Sequence, residues 1–420
     1  MRVVSTSLLG QMVAGHLAGR GDGAGSRRPV VVASGNFASP TVALRAVDEV
    51  VESYRLFVLN PQVGLPVRAG VSPVTPFVGP GMRGVATLEY VPCRLSLVPR
   101  LLAGPCRPDV VVLHTSPPVN GRVSLGTEVN ILPAAVEAAR AGGGLVIAQL
   151  NPAMPYTFGD GELALDIVDL AVEAHQPLPN PAVRAGDEVV RAIGERVAAL
   201  VADGATLQLG IGGVPNATLA ALTGRRGLRV WTETFSDGVL ALDRAGALDT
   251  GADLVTSFLF GSAELYGWVD RNPRVRLLRT ETVNDPGVIA RQPAMTSINT
   301  ALQVDLHAQV NASHVRGRVW SGFGGQPDFV AGALHAPGGH AVIALPSWHA
   351  KSDTSTVVAA LDEPTTSFQH SYVVSEHGTA ALWGRSVQGQ ARDIIAHVAD
   401  PRARDGLTRH VEATAATPSG

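Results

Sequence analysis

Short runs of β-branched residues alternate along this chain with Gly-containing loops and Ala/Leu-rich stretches of helical spacing. Strands that are apolar along their whole length need cover on both faces, and the intervening helices supply it. The pattern therefore predicts an α/β protein with mostly parallel sheets. PVVVASGNFASPTVALRAVDEV (29–50) reads as strand, loop and helix; DVVVLHTSPP (109–118) and GGLVIAQLNP (143–152) are further strands. Between those two, ILPAAVEAARAG (131–142) is a helix with a terminal Gly placed for a cap.

The segment QPLPNPAVRAG (176–186) carries three prolines and no apolar period, so it reads as a linker. The expected domains are 1–182 and 183–420. Past the linker, DEVVRAIGERVAALVADG shows helical spacing at Val189, Ile193, Val197 and Leu200, and ATLQLGIGGVPNATLAAL repeats the strand, Gly loop and helix order.

Composition removes several classes of function. A formal charge of -3 gives no electrostatic case for nucleic acid. Cys93 and Cys106 can form neither a disulfide framework nor a zinc site alone, which suits a reducing compartment. No stretch approaches roughly 18 uninterrupted apolar residues, so no membrane span is expected. The start, MRVVSTSLLGQMVAGHLAG, looks faintly like a signal peptide but is broken by Ser, Thr, Gln and His. The expectation is a cytoplasmic protein.

Gly210, Ile211, Gly212, Gly213 and Val214 follow a strand and, with Pro215, Asn216 and Ala217, open a helix. Such a loop lets a ligand approach backbone N–H groups, and the helix start behind it favours negative charge. The strand GLRVWTE then delivers Glu233 about 20 residues on, the spacing of ribose recognition in a dinucleotide site. Pro215 at the third glycine position disturbs that match. Glu233 could bind ribose, act as a base or act as a nucleophile. A second Gly-rich element, Trp320 to Phe329 (WSGFGGQPDF), favours the last, because N–H groups from two loops can converge on one oxyanion.

The chain resembles the acetyl-CoA hydrolase/transferase family, especially its 4-hydroxybutyrate and acetate CoA-transferase branch. The matching pieces stand in order: SPPVNGRVSLGTEVN, QLNPAMPYTFGD, ATLQLGIGGVPNA, WTETFSDGVLALDRAGAL, SFLFGSAELYGWVDRNPRV, MTSINTALQVDLHAQVN, SGFGGQPDF, YVVSEHGTAALWGRS and ARDIIAHVADPRARDGL. The resemblance implies two open, mostly parallel α/β domains of the CoA-transferase type with the active site in the cleft between them. It places the catalytic glutamate on Glu233 and the coenzyme A contacts on Gly210 to Val214 and on Gly322, Gly324 and Gly325. The oxyanion hole falls on the N–H groups of Val214 and Gly324. Asn216, Asp237, Gln326 and Asp328 are expected to hold the loops by capping backbone N–H groups. Glu376, in SEHG, is expected either to position substrate or to form a structural salt bridge.

The implied chemistry is transfer of coenzyme A between an acyl-CoA and a carboxylic acid through acyl-glutamyl anhydride and glutamyl-CoA intermediates. Coenzyme A is a substrate here, with no permanently bound cofactor and no metal. The histidines His335, His340, His349, His370 and His377 lack the spacing of a zinc helix. Expected partners are small acyl-CoA and carboxylate molecules, and self-association into a homo-oligomer is common among relatives. Alternatives are an acyl-CoA hydrolase on the same scaffold, a specialised acyltransferase, and a catalytically silent ligand-binding protein. The acyltransferase reading comes from departures that, Ala308 apart, remove positive charge. Relatives carry Gly at Ala308, Arg at Ala331, Lys at His340, Arg at Thr356 and Arg at Phe368.

Overall fold

A computed structural model of the chain describes residues 1–19, 27–180, 187–365 and 369–415. The fold is α/β, as the alternating pattern predicts, and forms two compact units. One is Met1–Pro181 with Leu254–Val283, the other Ala182–Asp253 with Asn284–Gly420. A single cut near 182 thus describes the order of the units but not Leu254–Val283, which groups with the first.

In the first unit eight strands form one sheet, in the order Arg2–Val3, Leu170–Glu173, Leu145–Leu150, Val110–Thr115, Val30–Ala33, Tyr54–Phe57, Val71–Thr75, Glu89–Tyr90. Every neighbouring pair is parallel. The central strands are buried along their length, which is why their sequences are continuous apolar runs and not alternations. The helix Leu132–Ala141 ends at Gly142, and the left-handed residue that stops it is the next one, Gly143, at φ 69°. Residues 6–18, within the stretch that looks faintly like a signal, form a helix whose Leu9 and Val13 belong to this unit's core.

The linker reading needs correction where it is described. Gln176 accepts from the Thr41 hydroxyl (2.8 Å) and from Gln149 Nε2 (2.8 Å), and its carbonyl accepts from Asn151 Nδ2 (2.7 Å). Prolines make this segment irregular, but polar side chains fasten it to the first unit. Residues 181–186 of the expected linker lie outside the described residues.

In the second unit the strands run in the order Thr379–Ala381, Tyr372–Val374, His340–Ala344, Thr296–Thr300, Thr206–Leu209, Arg229–Trp231. All are parallel except the outer hairpin of the first two. From Thr206–Leu209 the chain moves to the neighbour on one side, Arg229–Trp231, and returns much later to the neighbour on the other, Thr296–Thr300. At such a reversal the loops leaving the carboxyl ends diverge and open a crevice, where α/β sheets bind ligands. The helix expected after the linker spans Glu188–Ala199, capped by Asp187 and buried at Ile193 and Val197. No helix among the described residues is long and apolar enough to cross a membrane.

Candidate active site

Both glycine loops and Glu233 belong to the second unit. The strand Thr206–Leu209 is wholly buried and leads through Gly210 and Ile211 to Gly212, which stands at φ 130°, a conformation that a side chain would strain. Gly212 caps the helix Gly213–Ala221 without any side-chain hydrogen bond. A helix start left to its backbone amides is suited to an anion or a developing oxyanion. Val214, in the first turn, is buried, whereas Ile211 is exposed.

Glu233 leaves the carboxyl end of Arg229–Trp231, beside the strand that carries this loop. The wholly buried Thr232 fixes the junction. Its hydroxyl lies 3.2 Å from both the N and O of Leu209 and 2.9 Å from the carbonyl of Thr234. The turn that aims Glu233 is therefore tied directly to the residue preceding Gly210.

The glutamate is half-buried as a residue, but its carboxylate is enclosed by protein. Asn284, itself fully buried, donates Nδ2 to Glu233 Oε2 at 3.2 Å. The N–H of Gly325 is the second neutral donor. Burial pushes the carboxyl pKa up from the usual 4.5 to about 7. The Asn284 hydrogen bond opposes that rise, the charge of Asp328 adds to it, and the Gly325 N–H opposes it.

Gly325 has a steric reason to be glycine. A Cβ at this position would run into Glu233 Oε2 and Asn284 Nδ2. Gly324 precedes it in the left-handed region at φ 53°, and the helix Gln326–His335 follows without a side-chain cap. Gln326 Nε2 donates to the carbonyl of Thr300 (3.3 Å), anchoring the second loop to the carboxyl end of the strand Thr296–Thr300. Asp328 is buried in the first turn of that helix.

The structure thus brings together Glu233, Gly325 and Asp328, and places Gly210 to Val214 on the strand adjoining that of Glu233. Two capping expectations are corrected. Asn216 Oδ1 accepts from the Ser236 hydroxyl (3.2 Å), joining the Gly-loop helix to the helix Asp237–Arg244, and Gln326 donates to a carbonyl. Asp237 lies in the first turn of its helix, where Ser236 holds the cap position without a side-chain capping hydrogen bond. Glu376 accepts from Ser347 N (2.9 Å) and Ser347 Oγ (2.5 Å), neutral hydrogen bonds where a salt bridge was the structural expectation. Glu376, His377 and Asp400 approach one another closely, but Asp400 is doubly paired with Arg402.

Asn284 and Thr232 escaped the sequence reading. The only signal for Asn284 was its place before Asp285-Pro286, which marks a helix start and not a catalytic contact. Among the departures from relatives, Ala308 adopts φ 59°, Ala331 lies within the helix Gln326–His335, His340 packs edge-on to Tyr372, and Thr356 donates to the carbonyl of Pro346. Phe368 lies outside the described residues.

Comparison with known proteins gives the family and the fold. Residues 261–411 match the acetyl-CoA hydrolase/transferase C-terminal domain. The chain is 38% identical over 331 residues to the 4-hydroxybutyrate coenzyme A transferase of Clostridium kluyveri, covering 76% of each chain. Among solved structures, RipA from Yersinia pestis superposes with a TM-score of 0.87 at 28% identity, over 98% of this chain and 100% of that one. The 4-hydroxybutyrate CoA-transferase of Porphyromonas gingivalis gives 0.77 at 29% identity over 98% of each.

Proposed function

Because the chain belongs to the acetyl-CoA hydrolase/transferase family, we propose that it transfers coenzyme A between an acyl-CoA and a carboxylic acid, with Glu233 as the covalent carrier. The observation that carries this reading is the enclosed Glu233 carboxylate held by two neutral donors, Asn284 and Gly325, at the carboxyl edge of a parallel sheet. A desolvated carboxylate with a pKa near 7 is ionised in useful proportion at neutral pH and is a stronger nucleophile than one in water.

A Glu233 oxygen attacks the thioester carbonyl, the C–S bond breaks, and coenzyme A leaves as its thiolate. The acyl-glutamyl anhydride that remains is attacked by the thiolate at the glutamyl carbonyl, which releases the first acid as its carboxylate. A second carboxylate then attacks the glutamyl-CoA thioester, and the returning thiolate takes the new acyl group, restoring Glu233. Each addition develops an oxyanion, for which the N–H groups of Val214 and Gly324 are the proposed donors. The remaining contacts of the two glycine loops, Gly210 to Gly213 with Gly322 and Gly325, are the proposed coenzyme A contacts. Asn284 is a positioning residue that fixes the attacking oxygen.

Water reaching either intermediate turns the same site into a hydrolase, which the family description also includes. The two outcomes separate by assay: coenzyme A release without an added acid measures hydrolysis, and exchange into a second acid measures transfer. For the carrier itself, incubation with acyl-CoA, borohydride trapping and peptide mass analysis should label Glu233. A label on another residue, or turnover undiminished in Glu233→Gln, overturns the proposal.

A further inference from the structure

A cavity of about 610 Å³ lies in the second unit, beside the amino end of the strand Tyr372–Val374. His370 comes just before that strand. Trp383 comes just after Thr379–Ala381, whose Ala381 pairs with Tyr372. The strand runs parallel, through its neighbours, to Thr206–Leu209, and the glycine loops and Glu233 leave the carboxyl ends. The cavity therefore sits at the other edge of a sheet whose middle strand, Thr296–Thr300, alone spans on the order of 15 Å.

Its walls have a consistent chemistry. Trp383 is 65% exposed, an unusual state for the largest aromatic side chain, and Val387 beside it is also exposed. Leu382 and Ala308 are buried behind them. Arg385 supplies a cation; its Nη2 lies 3.4 Å from Asp393, which leaves its other nitrogens for a ligand. No carboxylate is among the described residues that line the cavity. The helix Val387–His397 also begins here, and its start favours an anion.

Two amides add polarity of the opposite kind. Gln390 Nε2 is committed to the carbonyls of Leu382 (3.2 Å) and Arg385 (3.3 Å), and Gln309 Nε2 to that of His307 (3.3 Å). Gln390 thus has its oxygen left, and Gln309 its oxygen and one N–H; both oxygens are acceptors suited to an amino group on a planar ring. A further sign is Ala308, a non-glycine residue at φ 59° in the turn that lines the cavity. Strain of this kind persists where surroundings hold it, often at ligand sites.

We propose that this cavity binds a nucleotide with an amino-bearing base, its ring stacked on Trp383 and its phosphate held by Arg385. The volume lies within the range of small-molecule pockets. The assignment does not depend on the reading of Glu233. The ligand is a free nucleotide, and the alternative source of the same chemistry, the nucleotide end of coenzyme A, is separated by the test.

Titrating the full-length protein with AMP or ADP should quench tryptophan fluorescence saturably. Trp383→Leu should abolish that quench, Trp383→Phe should retain binding by calorimetry, and Arg385→Gln should weaken it about tenfold or more. The KM for acyl-CoA should not move in any of the three, and their melting temperatures should match wild type because both side chains are largely exposed. Absence of saturable binding, or a quench that survives in Trp383→Leu, overturns the assignment. So does a KM for acyl-CoA that rises with the loss of Trp383, which would make the cavity the nucleotide subsite of the substrate.

Discussion

Replacing Glu233 by Gln should stabilise the protein while removing its activity, and the gain should depend on pH in a defined window. Gln keeps the shape and still accepts from Asn284 and Gly325, but cannot ionise. The folded glutamate has a pKa of about 7 against 4.5 for the usual carboxyl, a preference for the neutral acid worth about 3 kcal/mol. Below pH 4.5 the glutamate is protonated in both folded and unfolded chains, so wild type and variant differ least. As pH rises from there, the unfolded glutamate ionises while the folded one keeps its proton. The folded state then binds more protons than the unfolded, and wild-type stability falls with pH until the folded group ionises near 7. Between pH 5 and pH 8 the stability of Glu233→Gln over wild type should grow by roughly 2–3 kcal/mol. Urea unfolding of both proteins at the two pH values measures it. Hydrogen exchange in Thr206–Leu209 reads the same quantity for the unit holding the glutamate. A difference that stays flat from pH 5 to pH 8 would refute the claim that this carboxylate is desolvated.

Asn284→Ala removes a donor that holds the Glu233 pKa down, so the acidic limb of the pH–rate profile should move to higher pH and kcat should fall roughly 10- to 100-fold. Gly325→Ala puts a methyl group against Glu233 Oε2 and Asn284 Nδ2; activity should drop about 100-fold or more with circular dichroism unchanged, because the clash is with the site and not the core. Ala308→Gly relieves a left-handed alanine and should stabilise the second unit by about 1 kcal/mol in thermal melts.

Legibility followed the range over which each signal acts. The strands Val30–Ala33, Val110–Thr115 and Leu145–Leu150 were readable because burial on both faces demands a continuous apolar run, which is a local property. Glu233 was readable as a position, a carboxylate ending a strand near a Gly loop. Its environment was not. Asn284 reaches it across 51 residues and Thr232 reaches Leu209 across 23, and nothing in either local sequence distinguishes a site contact from a cap. The same limit explains Gln176, whose proline-rich neighbourhood reads as a linker although its side chain is fastened by residues as distant as Thr41. It also explains Asn216, whose position after a Gly loop suggests a cap until Ser236 is seen beside it.

Glu233 differs from the chain's structural carboxylates in what holds it. Asp109 meets the Arg27 guanidinium and the N–H of Val30. Asp400 is gripped by Arg402, which holds its pKa down at about 2. Each arrangement spends the carboxylate's charge on a partner, and a charge so spent is a poor nucleophile. The groups that set the proton affinity of Glu233 are an amide, a backbone N–H and a second carboxylate. Neutral donors fix the oxygen in space with little loss of basicity, and Asp328 pushes basicity upward. A guanidinium in place of Asn284 would bind the glutamate more tightly and leave it inert, so the absence of charge in that donor is part of what makes Glu233 reactive.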